Sequence, residues 1–433
     1  MKRREFLKSA AISFGTALAA PAVIPSSALG RGSVAAPSDR VAVGFIGTGG
    51  HGIGQNLNGF LGQRDATIAA LCDVDAGCLA RGHNHAVQRL TAQGRTAEAD
   101  AIFLTPDWRQ IIDRPDVDAV MVSAPDHWHC LMSVTAIRAG KDVICEKPMF
   151  NIREGRVLAD TVKRYAAVFQ TSTEDRSIAV YHRLAEVTRN QLIGKLQRIV
   201  VTLPQMPGSP GDDKPQPVPP GLDWDLWLGP APWKPYCAGR AHFNFRWVAD
   251  TGSGIIADWG AHLVDTAQWG NDTEHTGPIE IEGTGQRFAT GLYDTFHTFD
   301  LNYRYANGVV LNVKTGGTGI RFEGTDGWVE SPSWTAPVRA SRPDLLTAPI
   351  PSNGVRLFLG PGEHRDFLNC VKSRRDPYFP AEIGHRCCTV LHLGTICMEL
   401  GRKLRWDPVA EEFPGDAEAN RLRSRPMREP WTL

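Results

Sequence analysis

Asp258 and His262 lie four residues apart in Ala257-Asp258-Trp259-Gly260-Ala261-His262, after the glycine-loosened stretch Thr251-Gly252-Ser253-Gly254. On a helix, residues i and i+4 stand one above the other on one face. A carboxylate there would fix the imidazole tautomer and stabilise its protonated form. Such a pair suits a general base that takes a proton from a hydroxyl as its carbon gives up hydride. Asp265 follows three residues on. Asp258, His262 and Asp265 could instead hold a divalent metal, but no further His or Cys is spaced to complete a sphere, so no metal is expected. Lys147, in Glu146-Lys147-Pro148, ends an apolar run. At a strand end its ammonium would reach into a cleft.

These groups need a frame. Arg40-Val41-Ala42-Val43-Gly44-Phe45-Ile46 reads as a buried parallel strand. Gly47-Thr48-Gly49-Gly50-His51-Gly52 follows and opens a helix, so Gly47, Gly49 and Gly52 fit G-x-G-x-x-G. The first glycine permits the tight turn and the second lets backbone approach a pyrophosphate. The third lets helix and strand pack, with the anion on the helix N-terminus. A second strand, Thr67–Cys72, ends at Asp73, 21 residues past Gly52. An acid there accepts the ribose hydroxyls. No Arg follows Asp73 directly, and a carboxylate repels a 2′-phosphate, which favours NAD over NADP. Strands at Val117–Ser123 and Lys141–Cys145 flank a helix running from Pro125-Asp126 to about Ala139. This strand–helix alternation predicts a doubly wound parallel sheet of Rossmann type over residues 38–165, with ligands at the strand C-termini.

Beyond residue 165 the pattern changes. Phe299, Leu301, Tyr303 and Tyr305 alternate with polar residues, and Asn307-Gly308 turns into Val309–Val313 as a hairpin. Leu196–Leu203, Ile279–Gly285 and Trp328–Ser331 read as further strands. The expectation is an α+β domain over 166–405, with an open, mostly antiparallel sheet covered on one face by helices, then a tail over 406–433. Residues 204–235 are a proline-rich loop, and six of the twelve tryptophans fall between Trp224 and Trp269. Indole faces can stack on a sugar, although for a single Trp the commoner task is pinning the loop.

Composition excludes several classes. With 47 Lys plus Arg against 47 Asp plus Glu, the chain has no electrostatic reason to bind nucleic acid. Nine cysteines contain no C-x-x-C, which argues against a zinc ribbon or a disulfide-stapled fold. Arg3-Arg4-Glu5-Phe6-Leu7-Lys8 and the small-residue run to about Val23 read as a removable twin-arginine signal over residues 1–30. That run is too short to span a membrane, so the expectation is an exported, periplasmic protein handled by the twin-arginine machinery and not integral to a membrane.

The ordered set of glycine turn, Glu146-Lys147-Pro148 and Asp258-Trp259-Gly260-Ala261-His262 resembles the Gfo/Idh/MocA family of NAD(P)-dependent sugar and polyol oxidoreductases, over roughly residues 40–405. Pro125-Asp126-His127-Trp128-His129 matches the family's P-x-x-x-H turn, with Ala124 where Thr is more usual. The resemblance implies that Lys147 binds a substrate hydroxyl, Asp258 assists and His262 is the acid/base. It implies that Glu146 supports Lys147 or the cofactor and that Ala124, Pro125 and His129 join Gly47, Thr48, Gly49, Gly52 and Asp73 around the dinucleotide. It further implies oligomer contacts, as a dimer or tetramer, through the second domain. Export leaves no NAD pool to recycle a released cofactor, so tight binding is expected. Three functions are compatible with these residues: an oxidoreductase acting on a sugar or polyol, a glycosidase working by transient oxidation and elimination, and a non-catalytic sugar-binding protein. The oxidoreductase is preferred. An added base would mark the glycosidase, with Tyr181, His182, Tyr236 and His242 as candidates.

Overall fold

The computed structural model describes residue 36 and residues 39–433. The chain divides into two units, 1–40 and 41–433. The expected signal over residues 1–30 lies outside the described residues. The unit 41–433 is built on two sheets.

The first sheet is six-stranded and wholly parallel. Its strands are β1 (Val41–Ile46), β2 (Ala66–Cys72), β3 (Phe103–Thr105), β4 (Ala119–Val122), β5 (Asp142–Glu146) and β6 (Phe169–Ser172). The spatial order is β3-β2-β1-β4-β5-β6, so the winding reverses beside β1. Ligand crevices open at such a switch point. The β1, β4 and β5 side chains are buried almost throughout, as helices on both faces require. Helix starts are locally encoded. The Asp75 carboxylate accepts from the Gly77 and Cys78 amides to cap Ala76–Ala92, and Asn151 accepts from the Glu154 amide to cap Ile152–Tyr165. Strand β6 lies past residue 165, so the parallel sheet runs further along the chain than the 38–165 span. The helix Glu363–Ser373 also returns to this lobe, packing Phe367 and Leu368 among Phe60, Leu61 and Val168.

The second sheet has eight strands: β7 (Leu196–Leu203), β8 (Glu280–Gln286), β9 (Thr298–Arg304), β10 (Val310–Thr315), β11 (Gly319–Gly324), β12 (Trp328–Ser331), β13 (Arg339–Ala340) and β14 (Leu404–Arg405). Its order is β13-β12-β11-β7-β10-β9-β8-β14. Every pair is antiparallel except β7 with β10, which makes the sheet mixed. The Asn307-Gly308 hairpin forms with Gly308 at φ 90°, and Tyr303 faces Leu311 across it. The apolar face, including Leu301, Tyr303, Leu311 and Phe322, packs with Leu263, Val264, Val390 and Leu391 of the helices Gly260–Asn271 and Ala381–Leu400.

Residues 406–433 are built into the fold. Trp406 and Phe413 enter the second core, and Trp431 lies 4.9 Å from Trp128 and 6.2 Å from Trp108 in the first lobe. The lobes are further joined by Arg156, which pairs with Glu382 at 2.7 Å and Glu411 at 2.6 Å. All nine cysteines are free and buried. Among the described residues no helix is long and apolar enough to cross a membrane.

Candidate active site

A cleft of about 600 Å³ opens at the C-terminal ends of the parallel strands. Gly47, Gly49 and Gly52 form its floor beside Asp73, Ala124, Pro125, His129, Glu146 and Lys147. The glycines are required by space. A Cβ on Gly47, which sits at φ 95°, would meet the Ser123 carbonyl oxygen at 2.4 Å. One on Gly52 would meet the Gly47 oxygen at 2.2 Å, whereas nothing lies within 4 Å of one on Gly49. Gly49 thus leaves backbone open towards the cleft at the start of the helical turns Gly52–Leu57, which suits an anion.

Asp73 ends β2 with its carboxylate fixed in place. Oδ2 accepts from the Thr48 amide at 2.7 Å and its hydroxyl at 3.1 Å, while Oδ1 accepts from the Asp75 amide at 3.0 Å. Thr48 is fully buried and acts by holding Asp73. Asp73 lines the cleft, and burial raises its carboxyl against these three hydrogen bonds. His129 bridges two turns of the wall, one ring nitrogen 2.7 Å from the Ala124 oxygen and the other 2.8 Å from that of Pro148. Glu146 does not pair with Lys147. It accepts from Asn56 at 2.7 Å and faces His51 Nε2 at 2.8 Å. Burial would raise the Glu146 carboxyl, but His51, the Lys147 charge and Asn56 together outweigh it and bring the pKa to about 2.

Around Lys147 the chemistry divides between two ion pairs, of whose members Lys147 and its neighbour Arg246 line the cleft and His262 does not. Lys147 Nζ donates to the Asp258 carbonyl and to its Oδ1, each at 2.8 Å. Arg246 Nε stands 3.3 Å from the same carboxylate oxygen. Burial opposes the charge on Asp258, yet Lys147 and Arg246 hold its carboxyl well below the usual range. Burial likewise works against the Lys147 ammonium, and the charges of Asp258 and Glu146 raise its pKa overall. Asp126, buried beside them, accepts from the Ser253 amide at 3.0 Å. Desolvation and the Asp258 charge push its carboxyl up to about 7.

The second pair corrects an expectation. Trp259, between the helices Gly254–Asp258 and Gly260–Asn271, keeps right-handed helical angles (φ −85°, ψ −27°). The Asp258 carboxylate is nonetheless taken by Lys147 and Arg246. His262 Nδ1 instead meets Asp175 Oδ2 at 2.8 Å, with Glu174 3.8 Å away. Burial lowers the His262 pKa, the Asp175 carboxylate more than offsets it and the Lys147 ammonium pulls it back, leaving a net rise. Lys147 and His262 therefore lie within reach of each other's field. Asp265 is also reassigned: fully buried, it takes Arg176 through both oxygens, at 2.7 and 2.8 Å. The metal trio of Asp258, His262 and Asp265 is accordingly not formed. Indole rings enclose the imidazole, Trp334 at 5.1 Å and Trp259 at 5.9 Å.

Sequence reasoning missed Asp175 and Arg176, because each acts on a partner far along the chain, and Arg246, whose partner is near in sequence but outside any periodic pattern. Thr173-Glu174-Asp175-Arg176, directly after a parallel strand, was the available signal. Of the four candidate extra bases only His242 lines the cleft. Tyr181 is fully buried with its hydroxyl on the Thr335 amide, His182 meets the Leu357 carbonyl and Tyr236 packs on Trp224. Trp227 lines the cleft while stacked on Trp224 at 4.6 Å, so these two rings chiefly fasten the loop.

A nucleotide-sized crevice at the switch point, a glycine floor and an acid at the end of β2 define an NAD-binding oxidoreductase fold. The chain belongs to the Gfo/Idh/MocA oxidoreductase family. Residues 41–173 match the model of its NAD-binding Rossmann fold and residues 211–433 that of its C-terminal alpha/beta domain. Among curated proteins it is similar to a glycosyl hydrolase family 109 protein of Shewanella pealeana, 30% identical over 175 residues, 38% of this chain and 37% of that protein. The chain thus spans little more than a third of that relative's length. Solved structures of like fold include the WlbA dehydrogenase of Bordetella pertussis with NADH and UDP-GlcNAcA, at TM-score 0.62 and 13% identity, covering 85% of this chain and 99% of that one. Another is the aldose-aldose oxidoreductase of Caulobacter crescentus with glycerol, at TM-score 0.58 and 18% identity, covering 84% and 99%.

Proposed function

We propose that the protein oxidises or reduces a hydroxyl-bearing carbon of a sugar or polyol, with NAD in the glycine-floored cleft. When bound, the nicotinamide supplies or accepts the hydride. The fixed Asp73 carboxylate would accept the adenosine ribose hydroxyls and repel a 2′-phosphate, favouring NAD over NADP. Lys147 has three N–H donors and spends two on Asp258. The third is free to hold the reacting hydroxyl and to stabilise negative charge on its oxygen. His262 donates its Nδ1 proton to Asp175, which leaves Nε2 as the base for the hydroxyl proton. Trp259 and Trp334 limit water around that nitrogen. The observation that carries this reading is the convergence of a lysine and a histidine, each held by a separate buried carboxylate, in one field.

The family 109 relative favours a second reading on the same residues, net glycoside cleavage. Oxidation next to an acidic C–H would allow loss of the anomeric leaving group. Addition of water and return of hydride would then restore the sugar. A panel of free sugars and aryl glycosides, followed both at the NADH absorbance and for released aglycone, separates the two. NADH change without aglycone supports oxidoreduction, and aglycone without net NADH supports cleavage. Neither signal anywhere in the panel, with dinucleotide bound, would favour a sugar-binding protein instead.

The Arg3-Arg4 pattern supports export by the twin-arginine route, and with it a dinucleotide carried out bound. N-terminal sequencing of protein recovered from the periplasm tests the first. Stoichiometric NAD(H) released on unfolding tests the second. Association as a dimer or tetramer is proposed on family resemblance, and sedimentation tests it.

A further inference from the structure

The mouth of the cleft carries a group of side chains that hydride transfer does not use. Asp75 and Cys78 belong to the first lobe, at the start of the helix Ala76–Ala92. His242 comes from the second half of the chain, at the start of the short helix His242–Trp247. One donor atom from each lies within 4.8 Å of the other two, and all three residues line the cleft. Asp75 Oδ1 is committed to the Gly77 and Cys78 amides at 2.8 and 3.0 Å, which fixes the carboxylate and leaves Oδ2 facing His242 Nε2 at 3.6 Å. Donors around a tetrahedral zinc stand roughly 3.5 Å apart, so that pair is already at ligating separation. A thiol, an imidazole and a carboxylate make a borderline-soft set that suits Zn²⁺ over Mg²⁺ or Ca²⁺. Burial and the Asp73 and Asp75 carboxylates push the Cys78 thiol up to about 12 against the Arg81 guanidinium 3.0 Å from its Sγ, so the thiolate would form only as a metal ion takes the place of the proton.

Position gives the group its meaning. Asp75 is two residues beyond Asp73, at the adenosine end. The helix that begins at His242 ends near Arg246, whose guanidinium meets Asp258 at the Lys147 end. The segment therefore lies along the cleft as a strap. The proline-rich connector already rests on β2's end, with the Ala76 amide on the Gly221 oxygen and the Asp223 amide on that of Val74, both at 2.9 Å.

We propose that Asp75, Cys78 and His242 bind a zinc ion, with water as fourth ligand, and that this ion clasps the strap over the adenosine end of the cleft. The clasp rests on the dinucleotide reading above; the metal site does not. Co²⁺ added to the dinucleotide-loaded protein is the spectroscopic probe. One equivalent should give a near-ultraviolet thiolate-to-cobalt band with tetrahedral d–d bands, displaced by Zn²⁺. Cys78→Ser should abolish the thiolate band. His242→Ala, at an exposed position, should weaken Co²⁺ binding by about tenfold or more. Absence of the band, or its persistence in Cys78→Ser, overturns the site. With Zn²⁺ bound, NADH release followed by fluorescence should slow by about tenfold in the parent and not in His242→Ala. Unchanged or faster release overturns the clasp. A protein that gives the cobalt spectrum yet holds no dinucleotide counts against the proposed function and leaves the metal site standing.

Discussion

The two ion pairs built on Lys147 and His262 look alike and differ in kind. Lys147–Asp258 is a saturated pair: the ammonium gives one hydrogen bond to the carboxylate and one to the backbone carbonyl of Asp258, a second cation stands close by, and the carboxyl is held low while the ammonium is pushed up. His262–Asp175 is balanced, because burial and the Lys147 field pull the imidazole one way and Asp175 pulls it the other. A group whose charge is fixed can hold a substrate and stabilise an oxyanion. A group whose charge is contested can carry a proton at neutral pH. Chemical type alone would not assign these roles; the environment of each does.

Substitutions can break that division. The largest effect is expected for Lys147→Met. It removes the one lysine that lines the cleft among the described residues and leaves Asp258 buried with Arg246. Turnover should fall by about 10³-fold while dinucleotide stays bound, measured as kcat on the best sugar of the panel. Retained turnover would reduce the pair to a structural brace. Asp175→Asn comes next. It keeps shape and removes charge, so the His262 pKa falls. The pH–rate profile for oxidation should move to lower pH and its maximum should drop about 10²-fold. A profile that does not move would return the orienting role to another group.

Stability against pH sharpens the contrast, since the signs are opposite. His262 is raised in the folded protein. Its contribution is fully present below pH 6.5 and is lost as pH rises through the folded value. Asp175→Asn should therefore be most destabilising on the acid side, with the gap to the parent closing on the alkaline side. Glu146 is lowered from 4.5 to about 2, so its contribution is present above pH 4.5 and is lost as pH falls towards 2. Glu146→Gln should cost about 2 kcal/mol in urea unfolding at pH 7, with the gap closing in acid. Gaps that close at the same end for both variants would refute the assignment of either group.

The smallest effect tests the cradle. Gly47→Ala forces a side chain against the Ser123 carbonyl at a left-handed backbone position. It should weaken dinucleotide binding and lower stability by about 1–3 kcal/mol, read by thermal unfolding with and without NAD.

Much of this was legible in order along the chain. The β1 turn, Asp73 and Lys147 announce themselves because strand, turn and acid are neighbours in sequence. The strands from Phe299 to Val313 do so because alternation and Asn307-Gly308 are local signals. What stayed hidden is what tertiary structure makes. Asp175 reaches His262 across 87 residues and Arg246 reaches Asp258 from a single short helical turn, His242–Trp247, that no sequence period announces. Asp258 and His262 show the limit of the i,i+4 rule: spacing brings two side chains near one another, but Lys147 and Asp175, from elsewhere in the chain, claim them first. The long helix Ala381–Leu400 contributes buried residues to both cores, a role that no local pattern could reveal.

The network at Arg156 has a consequence for traffic through the cleft. With Glu382 and Glu411 gripping one guanidinium, and Trp431 wedged against Trp128 of the cleft wall, the lobes are riveted at two places. Ligands then come and go by bending a short aromatic segment, with no jaw-like swing of whole lobes. Solution scattering should return the same radius of gyration for loaded and stripped protein.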